Sequence, residues 1–231
     1  MVLVGKYTRL VRSPSTFGIV ALGLVVALSV GCVGGSPDPL TIEERLLPVA
    51  DAPGFELSED FSWRTAQEAI THSIGNGFNE ATVAQAVELF EATGFVAGAG
   101  EVLSKVEGAT RDNFLGFVVF QFGSEEGAQD VHEFLHADDL KPMPGSCTVG
   151  IAEFEVDDVP NATGVARTLL EGGAGQICAD RYLVDFTDGA FLYLVERVLP
   201  AGIGSNAAQD EAIGFAKALY ERVKGAPPAS S

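Results

Sequence analysis

Apolar and polar positions follow three different rhythms along this chain. From Phe17 to Val30 an apolar run of 14 residues carries no charge. Farther on, apolar residues recur every three or four positions in four segments, the spacing of an amphipathic helix. Ser62–Ile74 opens on a serine cap and carries Trp63, Ala66, Ala69 and Ile70. Asn79–Thr93 has Asn79 as cap, a stripe at Val83, Ala86, Val87 and Phe90, and Gly94 as its stop. Ser124–Leu135 places Glu125 and Glu126 in its first turn, where the helix dipole favours acids. Ser205–Lys224 sets Ala212, Phe215, Ala216, Leu219 and Val223 on one stripe, and Arg222, Lys224 and Gly225 mark its end.

Period-two stretches rich in aromatic and β-branched residues predict strands. Phe114–Phe122 puts Phe114, Val118, Phe120 and Phe122 on one face. Arg181–Phe186 and Ala190–Leu199 flank Thr187-Asp188-Gly189, a tight-hairpin signal. Phe95–Val106 and Val149–Val156 read as further strands, and Thr163–Leu170 as a strand or a short helix. A hairpin followed by a helix occurs at Phe95–Leu135 and again at Arg181–Lys224, a repeat of layout with little residue identity. Hairpins dominate and no βαβ rhythm is present. The expected class is α+β, an antiparallel sheet with helices packed on one face and two similar hairpin-helix halves. Phe117, Phe120, Phe122, Phe191 and Tyr193 are candidates for lining a cleft in that sheet, with plain core as the competing assignment.

The first apolar run follows Lys6, Arg9 and Arg12, with no acid among them, and ends on Gly31-Cys32. A cationic start, an apolar middle and small residues before a cut make up a secretory signal. The closing Ser29-Val30-Gly31-Cys32 resembles the lipobox of bacterial lipoproteins, with Ser29 where that family favours Leu. The resemblance implies acylation of Cys32, which becomes the first residue of the mature chain. The alternatives are an ordinary signal peptide or a membrane helix, though a spanning helix needs about 20 residues. The expected organisation is a signal peptide at 1–31, a lipid-anchored tether at 32–39, an extracytoplasmic domain at 40–224 and a disordered tail at 225–231.

Charge narrows the partners. The net charge is −18, and losing the leader removes three cations and no acid. So acidic a surface repels nucleic acid and anionic lipid. The membrane is then reached through the anchor at Cys32, and the remaining partner is an unidentified small ligand or envelope protein. Once Cys32 is assigned to the anchor, Cys147 and Cys178 remain as an even pair in an oxidising compartment. They are expected to form a disulfide, the alternative being two free thiols.

One motif could carry chemistry. Val131-His132-Glu133-Phe134-Leu135-His136 contains His-Glu-x-x-His, which resembles the zincin metalloprotease signature. On a helix His132 and His136 lie one turn apart and can share a zinc ion, with Glu133 as the base for its water. Against this, Asp130 is charged where zincins are not, and no third ligand follows at metzincin spacing. Glu153, Glu155, Glu171, Glu211, Glu221 and His72 are the candidates for that third place. Ala128, Val131 and Leu135 form the stripe facing the core, so His132 flanks the core, His136 turns toward solvent and Glu133 points outward. The Gly-rich stretches at Gly94–Gly100 and Gly172–Gly175 lack the context of a phosphate loop, and Asp138-Asp139 and Asp157-Asp158 read as solvated turns.

The body of the chain resembles the lipoproteins and kinase sensor domains that actinobacteria display outside the membrane. The resemblance rests on the lipobox, the lysine-poor Ala/Gly/Val-rich composition and the closing Asp188-Gly189-Ala190-Phe191-Leu192-Tyr193. A helix ending Ala218-Leu219-Tyr220-Glu221-Arg222-Val223 follows that pattern. It implies a binding or sensing module without catalytic residues or cofactor. The alternative is a zinc-dependent hydrolase using Glu133 as catalytic base, with His132 and His136 on the metal.

Overall fold

A computed structural model describes residues 39–73, 80–105, 113–141, 148–171 and 179–227. Cys32, Cys147 and Cys178 lie outside them. The aromatic and β-branched stretches form seven strands: β1 (Phe55–Trp63), β2 (Phe95–Lys105), β3 (Phe114–Phe122), β4 (Thr148–Phe154), β5 (Thr163–Glu171), β6 (Ala179–Asp188) and β7 (Phe191–Pro200). They pair into one antiparallel sheet in the order β1-β2-β3-β7-β6-β5-β4. Helices α1 (Ala66–Ser73) and α2 (Glu80–Ala92) join β1 to β2, α3 (Glu125–Asp139) follows β3, and α4 (Asn206–Val223) follows β7. The hairpin-then-helix unit therefore occurs twice, as the sequence suggests. Two meanders meet edge to edge where β3 pairs with β7. The class is α+β, as expected.

The turn between β6 and β7 is a two-residue loop, Gly189-Ala190, closed by the Asp188–Phe191 pair. Gly189 has φ +56. Positive φ at the first loop position suits glycine and matches the twist of the flanking strands.

Three expectations need correction. The helices do not lie on one face. Leu115, Phe117 and Val119 of β3 share a core with Ala212, Ala216 and Leu219 of α4. Phe120 and Phe122 share a second core with Ile70 of α1, Phe90 of α2 and Val131 of α3. Strand side chains alternate between faces, so α4 covers one side and α1–α3 the other.

The predicted helix at Ser62–Ile74 begins too early, because Ser62 and Trp63 close strand β1 (Phe55–Trp63). As an edge strand β1 needs few apolar residues, and Glu56, Glu59 and Asp60 guard its free edge against pairing with other chains. The helix starts later. Thr65 and Glu68 close a reciprocal capping box, Glu68 N donating to Thr65 Oγ1 at 3.2 Å and Thr65 N to Glu68 Oε2 at 3.2 Å.

The folded body also continues past Lys224. Leu40 N donates to the Pro227 carbonyl at 3.3 Å, so Gly225–Pro227 are tied to the start of the domain rather than loose. Thr163–Leu170, left open between strand and helix, is strand β5. No helix among the described residues is long and apolar enough to cross a membrane.

Candidate functional site

On the face shared by α1 and α3, the two helices rest on different strands of the sheet. α1 packs on β1 and β2, while α3 packs on β3, β6 and β7. Between them opens a cleft of about 570 Å³, within the range of small-molecule sites.

Strand register builds its floor in rungs. One rung runs Phe61–Gly100–Val118–Leu194 across β1, β2, β3 and β7. The next runs Glu59–Val102–Gly116–Glu196–Leu183, ending on β6. Beyond it, Arg181 of β6 pairs with Arg167 of β5. The wall on the β1 side is aromatic. Trp63 and Phe61 stack with ring centres 6.0 Å apart and planes 8° apart. Trp63 lies flat on β2 because Gly98 and Gly100 have no side chains; a Cβ at either would come within 2.9 Å of the indole.

The opposite end is charged. Arg167 is buried and donates from Nε to the Asp139 carbonyl at 3.0 Å and from Nη2 to the Lys141 carbonyl at 2.6 Å. These carbonyls end α3, so the guanidinium sits where the helix dipole favours a cation. Arg181 Nε meets Glu196 Oε1 at 3.3 Å. Asp139 lies one turn beyond Leu135 on the sheet-facing side of α3, and both border the cleft. Burial pushes its carboxyl up to about 7; Arg167 pulls against that rise, and Asp185, Glu196 and Asp138 add to it. A carboxyl so shifted inside a cleft is a candidate functional group.

The His-Glu-x-x-His segment is helical, as its chemistry would require, and its histidines face different partners. His132 is buried rather than at the surface. Its Nε2 lies 3.3 Å from Asp185 Oδ2 and 3.3 Å from Thr163 Oγ1, whose hydroxyl donates to Asp185 Oδ1. His136 Nε2 lies 3.0 Å from Glu153 Oε1 on β4. Glu133 is on the exposed side, accepting from Gln129 at 3.3 Å. Each histidine thus reaches its own carboxylate from α3 to a strand. Among the described residues no group of three or more His, Cys, Asp or Glu side chains is placed to hold a metal.

His132→Ala is expected to cost about 3 kcal/mol of stability, because it strands a buried carboxylate. His136→Ala should cost under about 1 kcal/mol, its partner being solvent-exposed. Urea denaturation of both variants checks this. Equal losses would show that burial of Asp185 does not set the difference.

All five aromatics that were candidates for lining a cleft are core; Phe117 borders the cleft but is fully buried and belongs to the core shared with α4. Asp138-Asp139 is not a solvated turn, since both residues belong to the last turn of α3 and Asp139 is half-buried at the cleft. Sequence reasoning missed Asp139, Arg167, Arg181 and Glu196. The available signal was a charge standing where an apolar residue belongs: Asp139 continues the Val131, Leu135 stripe, and the others sit inside strands.

No family model matches the chain, and no curated protein matches it. Among solved structures, the extracellular domain of PknH from Mycobacterium tuberculosis is similar at 13% identity and a TM-score of 0.48. The match covers 81% of this chain and 100% of that one. A likeness of that degree carries no argument about what this chain does.

Proposed function

We propose that this protein is an extracytoplasmic, lipid-anchored binding module that holds a small amphiphilic ligand in the cleft between α1 and α3. The observation that carries the reading is the polarity of that cleft. Phe61, Val102, Val118, Leu183 and Leu194 offer an apolar bed, and Asp139, Arg167, Arg181 and Glu196 gather at one end. Such a layout, apolar with few convergent polar groups, is that of a ligand site.

Gly116 provides the test. A Cβ there would meet nothing closer than Glu196 Cβ at 3.8 Å, so Gly116→Leu fills the floor without strain. The neutral dye Nile red should bind wild type at one site per chain and quench or shift the emission of Trp63, the only tryptophan. Gly116→Leu should weaken that binding at least tenfold while keeping the fold. Undiminished binding to the variant would remove the cleft as the site.

The extracytoplasmic placement draws on the cationic leader and the lipobox-like Ser29–Cys32. Mass spectrometry of membrane-extracted protein should find a diacyl or triacyl group on Cys32. An unmodified chain starting elsewhere would sink the anchor.

A further inference from the structure

We propose that the ligand of the cleft is an organic cation: an apolar body carrying an amine or quaternary ammonium group that pairs with Asp139. The inference rests on the cleft being a binding site and names the chemistry of its occupant.

The argument is an inventory of the charged end. Two guanidinium groups are there, and both are engaged. Arg167 is held by the two carbonyls that end α3, and Arg181 by Glu196. The Asp139 side chain has no hydrogen-bond or ion-pair partner among the described residues, although it borders the cleft and is half-buried. A desolvated carboxyl without a partner is costly, and a ligand cation is the group that would relieve it. The charges around it are Arg167 on β5, Asp185 and Arg181 on β6, Glu196 on β7 and Asp138 on its own helix. At the aromatic end of the cleft, Glu59 on β1, Glu101 on β2 and His72 on α1 also line it.

Two further observations agree. Phe61 presents a half-buried ring stacked on Trp63 at the other end, an apolar surface for the body of the ligand once its cationic head is at Asp139. The chain as a whole carries −18, a field that concentrates cations at its surface. An anionic amphiphile would instead meet the carboxylates of Asp139 and Glu196, with each guanidinium already engaged by an acceptor of its own.

Three probes with one apolar body separate the possibilities: n-octyltrimethylammonium, n-octanol and n-octanoate, each competing against Nile red on the full chain. At pH 8 the quaternary ammonium should compete at least tenfold better than octanol, and octanoate worse than octanol. The ammonium advantage should shrink as pH falls from 8 to 5, because Asp139 then takes up a proton, whereas octanol should not respond. Asp139→Asn should abolish the advantage of the ammonium over octanol. If octanol or octanoate competes as well as the ammonium, the cation inference is wrong and the apolar cleft stands. If Nile red does not bind wild type at all, the cleft reading itself falls.

Discussion

Arg45→Met is expected to lower stability by about 3 kcal/mol. Arg45 is fully buried near the start of the described residues and fastens the two ends of the domain together. Its Nη1 donates to Tyr193 Oη at 2.9 Å, and its Nη2 donates to the carbonyls of Ala226 at 2.6 Å and Pro227 at 2.8 Å. The guanidinium carbon also lies 3.7 Å from the centre of the Phe191 ring. Removing it leaves Tyr193 Oη and the Ala226 carbonyl without this donor, each costing about 1–3 kcal/mol where buried, with the half-exposed carbonyl at the low end, while the Pro227 carbonyl keeps Leu40 N. For a chain of this size that is a fall in Tm of roughly 6–12 °C. Lysine should not rescue, since one ammonium cannot fork to three acceptors and lie flat on a ring. The clasp does not titrate near neutrality, because burial pushes the Tyr193 phenol up to about 12. Thermal and urea denaturation of both variants test this. A loss under about 1 kcal/mol would mean that the backbone bonds alone hold the termini.

Asp139→Asn is expected to act in the opposite direction and stabilise the protein at pH 8 by roughly 1–3 kcal/mol. In the folded chain this carboxyl is raised to about 7 from an ordinary 3.8. Between those values the folded state binds the proton more tightly than the unfolded state does. Its contribution to stability is therefore present at low pH, declines as pH rises from about 4 to 7, and is gone above that. The variant lacks this slope, so its advantage should appear at pH 8 and vanish near pH 4. The rise from 3.8 to about 7 already nets the attraction of Arg167 against burial, and its equivalent of about 4 kcal/mol is an upper bound because the carboxyl is only half-buried and water and relaxation soften the penalty. A group that weakens its own fold is the mark of a functional residue. If the variant is less stable than wild type at pH 8, Asp139 is a structural partner of Arg167 instead.

These two residues show what a linear reading reaches and misses. The pattern around Asp139 was visible, an acid in phase with Val131 and Leu135. Taken with Asp138 it read as a turn, because local sequence cannot say that α3 runs one turn further over a sheet. Arg45 stands in an unpatterned stretch, and its partners are 148 to 182 residues away. The histidines divide likewise. Their helix and their spacing are legible, but the carboxylates that engage them come from β6 and β4.

By itself, the sequence determined the period of each element and hence the class. Phe114–Phe122 was placed to the residue, the final helix to within one at each end, and the antiparallel character followed from hairpins. These depend on interactions a few residues apart, which composition and period encode. The cationic leader and Cys32 likewise belong to the sequence alone. Tertiary structure decided which face each helix covers, that Phe55–Glu59 is a strand, and which strands α1 and α3 rest on. A strand's two faces carry the same alternation whichever helix lands on them, and an edge strand is fixed by its neighbour rather than by its own residues. The cleft follows from the same cause. It exists because α1 and α3 rest on different strands and glycines at 98, 100 and 116 leave the floor low, a conjunction that no single segment carries.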